Sequence, residues 1–108
     1  MIGTSNMLVG DFNALIGRQN AVFGNANSIF GTFNAVGGSG NQLKGRENLV
    51  FGNWNVLNGS NNRLNGSQNA NIGSNNAVTG DGNAVKGNGS QVTGNSNKLL
   101  GDNTNIFG

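Results

Sequence analysis

Gly-Asp-Phe-Asn-Ala-Leu-Ile-Gly-Arg-Gln-Asn-Ala-Val-Phe, residues 10 to 23, holds two copies of the unit that decides the fold. The unit is a glycine, two variable residues, an asparagine, a variable residue, an aliphatic residue and a last variable one. Read outward from here, glycine recurs at every seventh position from Gly3 to Gly108 without exception. Three residues after each glycine stand Asn6, Asn13, Asn20, Asn27, Asn34, Asn41, Asn48, Asn55, Asn62, Asn69, Asn76, Asn83 and Asn97, with Ser90 and Thr104 filling the two remaining slots. Two residues further on the slot is aliphatic everywhere except at Asn71. A unit this small cannot bury its own apolar side chain, so the copies must stack on one another. We read 1–108 as a single repeat domain.

A heptad of this composition excludes the helical readings. A coiled coil needs two apolar positions per heptad, whereas this unit has one, and its glycine would cost a helix about 1 kcal/mol per repeat. Collagen requires glycine at every third position and abundant proline, and the chain has no proline. A disordered tract has no reason to keep an aliphatic residue in register with asparagine and glycine. What remains is an all-β fold, a parallel β-solenoid of fifteen G-x-x-N-x-h-x heptads. Strand alternation points the asparagine and the aliphatic residue inward and the intervening residues outward. Glycine takes the corner, where a positive φ carries no Cβ penalty. Asparagines stacked in register form an amide ladder. Ser90 and Thr104 keep one hydroxyl each for that role, which predicts a looser C-terminal end.

The variable slots bear on the number of heptads per turn. Gly-Asp-Phe-Asn-Ala-Leu-Ile (10 to 16) matches Gly-Thr-Phe-Asn-Ala-Val-Gly (31 to 37) and Gly-Asn-Trp-Asn-Val-Leu-Asn (52 to 58), each 21 residues from the last. This spacing predicts a three-sided coil of 21 residues per turn, with a two-sided roll of 14 as the alternative. Five three-sided turns would make a rod of about 24 Å at the usual inter-strand spacing. The same stacking would gather Val9, Phe12, Phe30, Phe33, Phe51, Trp54 and Ile72 into one exposed apolar edge. A monomer rarely leaves such a patch in water. The repeat also runs from Met1 to Gly108 without an atypical capping unit, and an open turn offers unpaired backbone groups to another strand. The expected function is therefore a non-enzymatic structural solenoid whose partner is itself, associating end to end and through the edge into a filament or an adhesive surface assembly.

Composition narrows the chemistry. With 34% hydrophobic and 9% charged residues, the chain is too poor in apolar residues for an ordinary globular core, but not for a narrow stacked one. Histidine, cysteine and tyrosine are absent and the acids are only Asp11, Glu47, Asp81 and Asp102, which leaves no nucleophilic triad and no thiolate or imidazole metal site. No cofactor is implied. Asp81 and Asp102 lie 21 residues apart and would be neighbours in a three-sided coil, as two solvated corner residues. The Asn-Gly-Ser triplets at Asn58, Asn65 and Asn88 match a glycosylation pattern but follow from the repeat itself. Arg18, Lys44, Arg46, Arg63, Lys86 and Lys98 are scattered rather than clustered, so no nucleic-acid footprint is read. No segment could span a bilayer, and the N-terminus lacks the charged start and apolar run of a signal peptide. An extracellular or cell-surface setting is expected.

The unit G-x-x-N-x-h-x resembles the ice-recrystallisation-inhibition repeat of ryegrass-type plant antifreeze proteins, x-x-N-x-V-x-G, over essentially the whole chain. That resemblance implies a β-roll with two heptads per turn, internal asparagine ladders, an aliphatic core and a flat ice-binding face rich in Thr and Ser beside the core valine. The flanking positions here depart from that pattern. They read Ala14/Ile16, Ala21/Phe23, Ser28/Phe30, Gln42/Lys44 and Leu49/Phe51, and the only threonines among them are Thr79 and Thr93. Segments such as Asn-Ala-Val-Phe-Gly (20 to 24) are similar, more loosely, to head repeats of trimeric autotransporter adhesins. Ice binding is thus the alternative function, and a carbohydrate-binding adhesin module, with a glycan surface as partner, the third.

Overall fold

The structure is a computed structural model that describes Met1–Gly108 throughout. Each core slot from Leu8 to Ile106 becomes the second residue of a short strand. In chain order these are β1 (Ile2–Thr4), β2 (Met7–Val9), β3 (Ala14–Arg18), β4 (Ala21–Phe23), β5 (Ser28–Thr32), β6 (Ala35–Gly37), β7 (Gln42–Arg46) and β8 (Leu49–Phe51). They continue with β9 (Val56–Ser60), β10 (Arg63–Asn65), β11 (Ala70–Ile72), β12 (Ala77–Thr79), β13 (Ala84–Lys86), β14 (Gln91–Thr93), β15 (Lys98–Leu100) and β16 (Asn105–Phe107). Odd and even strands form separate eight-stranded parallel sheets, each in sequence order. Leu15 pairs with Ile29 and Leu43 with Leu57, while Val22 pairs with Val36.

These partners are 14 residues apart, so the molecule is the two-sided roll, and the three-sided turn expected from the variable slots does not form. The reason lies in the corners. In every heptad from Gly3 to Gly101 the chain passes a glycine of large positive φ and, two residues on, a residue in the left-handed region, and this pair reverses its direction. Twelve of these second residues are not glycine, with φ from 54° to 60°. A reversal at each heptad closes the turn after two, whatever the exposed slots contain. The rod is correspondingly longer than expected, with extents of 37 × 20 × 12 Å.

The glycine register has a steric cause beyond φ. At Gly31, φ is 148° and a Cβ would lie 1.8 Å from the carbonyl oxygen of Gly45 on the next turn. No side chain fits between two turns packed that closely.

Inside, one column carries Leu15, Ile29, Leu43, Leu57, Val85 and Leu99, and the facing column Val22, Val36, Val50, Leu64, Val78 and Val92, all buried. Leu8 and Ile106 pack against them, partly buried. Asparagine ladders flank this core. The backbone N–H of Asn34 and its Nδ2 both donate to Oδ1 of Asn20 (2.9 and 3.1 Å), and Nδ2 also donates to the Gly45 carbonyl (3.0 Å). Each such side chain joins its own turn to two others, and satisfies a buried amide that would otherwise be costly. Ser90 holds its rung more weakly. Its Oγ donates to the Gly101 carbonyl over 3.4 Å and accepts from the Thr104 N–H over 3.3 Å.

Candidate functional site

A two-sided roll offers a ligand two flat faces and two lines of corners. On the odd sheet one outward column runs Ala14, Ser28, Gln42, Val56, Ala70, Ala84, Lys98, and the other Ile2, Ile16, Phe30, Lys44, Asn58, Ile72, Lys86, Leu100. On the even sheet the columns are Met7, Ala21, Ala35, Leu49, Arg63, Ala77, Gln91, Asn105 and Val9, Phe23, Gly37, Phe51, Asn65, Thr79, Thr93, Phe107. The faces differ in charge. Lys44, Lys86 and Lys98 project from these columns of the odd sheet, whereas Arg63 is the single charge on the even one.

The shorter turn divides the expected apolar edge. Val9 and Phe51 stand in the even sheet's second column, and Phe12 and Trp54 occupy the corner line beside it. Phe23, which the sequence reading passed over, completes this ridge between Val9 and Phe51. Phe30 and Ile72 lie instead on the odd sheet and Phe33 on the opposite corner line, diagonally across the rod. Phe12 is 93% exposed and Trp54 65%. Two rings of the ridge, those of Trp54 and Phe51, are seated on glycines that fall outside the seven-residue register. A Cβ on Gly40 would lie 2.6 Å from Cε3 of Trp54, and one on Gly37 would lie 2.9 Å from Cδ1 of Phe51. Each ring covers backbone of the preceding turn, as aromatics commonly cover strand glycines.

Asp81 and Asp102 sit on opposite corner lines, Asp81 after β12 and Asp102 after β15, and so are not neighbours. Each stabilises a turn. Oδ1 of Asp81 accepts from the Ser67 N–H (2.7 Å) and Oδ1 of Asp102 from the Asn88 N–H (2.8 Å). Asn25, Asn53, Asn88 and Asn95 accept in the same way from Asp11, Ser39, Ser74 and Asp81. This outer ladder was missed in the sequence, although its signal was present as Asn or Asp directly after the register glycine.

Fold and exterior together define a parallel β-roll whose exterior is a flat lattice of side chains locked in register, not a cleft. A family model described as the grass antifreeze beta roll matches residues 1–108, and the chain belongs to that family. The resemblance read from the heptad is thereby shown, and with it the two heptads per turn that it implied. The family is one of antifreeze rolls and not of enzymes. No curated protein matches the chain.

Proposed function

We propose that this protein adsorbs to ice through the outer face of the even sheet and so restrains recrystallisation. The observation that carries the reading is the charge of that face, one arginine over eight strands. Ice presents an uncharged lattice, so a surface that adsorbs to it must release its own hydration water at little cost. Lysine-bearing surface does so poorly, because an ammonium is expensive to desolvate. Ala21, Ala35 and Ala77 are half-buried methyl groups in a straight column, and Thr79 and Thr93 add paired methyl and hydroxyl groups beside it. Parallel pairing fixes their repeat along the rod at about 4.8 Å, near a repeat of the ice lattice. Membership of an antifreeze family supports the same reading. It requires neither cofactor nor catalytic residue, and it fits an extracellular setting. In a splat of fine-grained ice annealed below freezing, grains should stay small in the presence of the protein. Grains that coarsen as they do in buffer would overturn the proposal.

Self-association is retained as a second reading on the strength of the ridge formed by Val9, Phe12, Phe23, Phe51 and Trp54, all exposed. It predicts a weight-average mass that rises with concentration in sedimentation and falls back toward the monomer for Trp54→Ser. A monomer at every concentration would remove it.

A further inference from the structure

We propose that the odd sheet carries a second binding surface, for an acidic polysaccharide built of uronate sugars, centred on Phe30. β3, β5, β7 and β9 run for five residues where every other strand runs for three. The extension comes from the glycine and the residue after it, which is Arg18, Thr32, Arg46 and Ser60 on these four turns. None of these is an Asn or Asp, and strand pairing continues through the glycine before the chain turns at the left-handed residue that follows. A third outward column is added, in which Arg18 pairs with Thr32 and Thr32 with Arg46, beside the column in which Phe30 pairs with Lys44.

Phe30, 55% exposed, is thus bordered by three cations on neighbouring strands. A shallow groove of about 310 Å³ runs past it, lined by Ser28, Phe30, Gln42, Lys44, Val56 and Asn58. No acid lies on the four strands. Glu47 follows Arg46 but leaves the sheet at a left-handed corner, with φ of 57°. A surface whose charges served solubility alone would intersperse both signs.

The chemistry that fits is a sugar ring with a carboxylate. The apolar C–H face of a pyranose stacks on Phe30, while Gln42 and Asn58 meet its hydroxyls. A guanidinium grips a carboxylate through two parallel hydrogen bonds. Arg18 and Arg46 are two strand spacings apart, about 9.6 Å, so an extended chain laid along the rod would offer them alternate sugars. Nucleic acid fits less well, because its dense phosphate charge calls for a cluster of cations larger than three.

Retardation in gels containing polygalacturonate tests this, with its fully methyl-esterified form and duplex DNA as comparators. The protein should be retarded by polygalacturonate alone, less so as salt rises. Phe30→Ala, which leaves charge unchanged, should lower affinity about tenfold, and Arg18→Gln with Arg46→Gln should abolish binding. Circular dichroism checks that these exposed substitutions leave the roll folded. Absence of retardation, retardation unaffected by Phe30→Ala, or equal binding to DNA would each overturn the proposal. The outcome is independent of ice growth.

Discussion

Asn71 occupies a core slot that is aliphatic in every other turn, and it is fully buried there between Leu57 and Val85. Its Oδ1 accepts from Nδ2 of Asn76 over 3.1 Å, but its own Nδ2 has no partner. A buried donor left unpaired costs about 1 to 3 kcal/mol. Asn71→Val should therefore stabilise the roll by about 2 kcal/mol, combining the recovered desolvation penalty with burial of an apolar side chain. Denaturant unfolding reads this directly, and a lower midpoint for the variant would contradict it. A second local anomaly is Phe12, which is almost wholly exposed and left-handed with φ of 60°. Bulky residues seldom accept that conformation, and their presence at a corner points to a role outside the fold.

At the scale of strand and corner, the ladders are the joints of the molecule. In Ser90 the ladder loses the Nδ2 donor that Asn34 or Asn62 supplies to the rung before it, and the two contacts of its hydroxyl are long. Ser90→Asn should restore the rung and raise stability by about 1 kcal/mol, measured as a shift in the unfolding midpoint. No gain would show that the C-terminal turns cannot close on an amide. Much of this was legible in the chain. The glycine, asparagine and aliphatic registers specify strand, ladder and core because each slot has one steric or hydrogen-bonding answer, as at Gly31 and Asn34. The turn length was not legible in the exposed slots, because Phe12, Phe33 and Trp54 are exposed and bury too little surface to decide which turn stacks on which. Residues 31 to 37 resemble 10 to 16 and 52 to 58, yet their strand lies in the other sheet. Corner geometry decided the stacking, and the left-handed slot has no single-residue signature, since Gln19, Ala26, Glu47 and Asn61 all accept it. For the same reason the residues of the expected edge are divided. Val9, Phe12, Phe51 and Trp54 lie along one ridge, while Phe30, Phe33 and Ile72 face the opposite way.

As a whole molecule, the roll separates two surfaces by a core only one side chain deep on each side. Every outward position is fixed by pairing with turns above and below, so either face is preorganised before it meets a ligand. The even face is nearly uncharged, and the odd face carries the lysines together with the widened strands. The proposed adsorption to ice is assigned to the even face, where little charge has to be desolvated. The most direct measurement compares recrystallisation inhibition by Ala35→Tyr, on the third strand of the even face, with that by Ser28→Tyr on the odd face, at matched concentration and unfolding midpoint. The account predicts that Ala35→Tyr loses most of the inhibition while Ser28→Tyr keeps it. Equal inhibition by the two variants, or loss confined to Ser28→Tyr, would contradict the assignment of the ice-binding face.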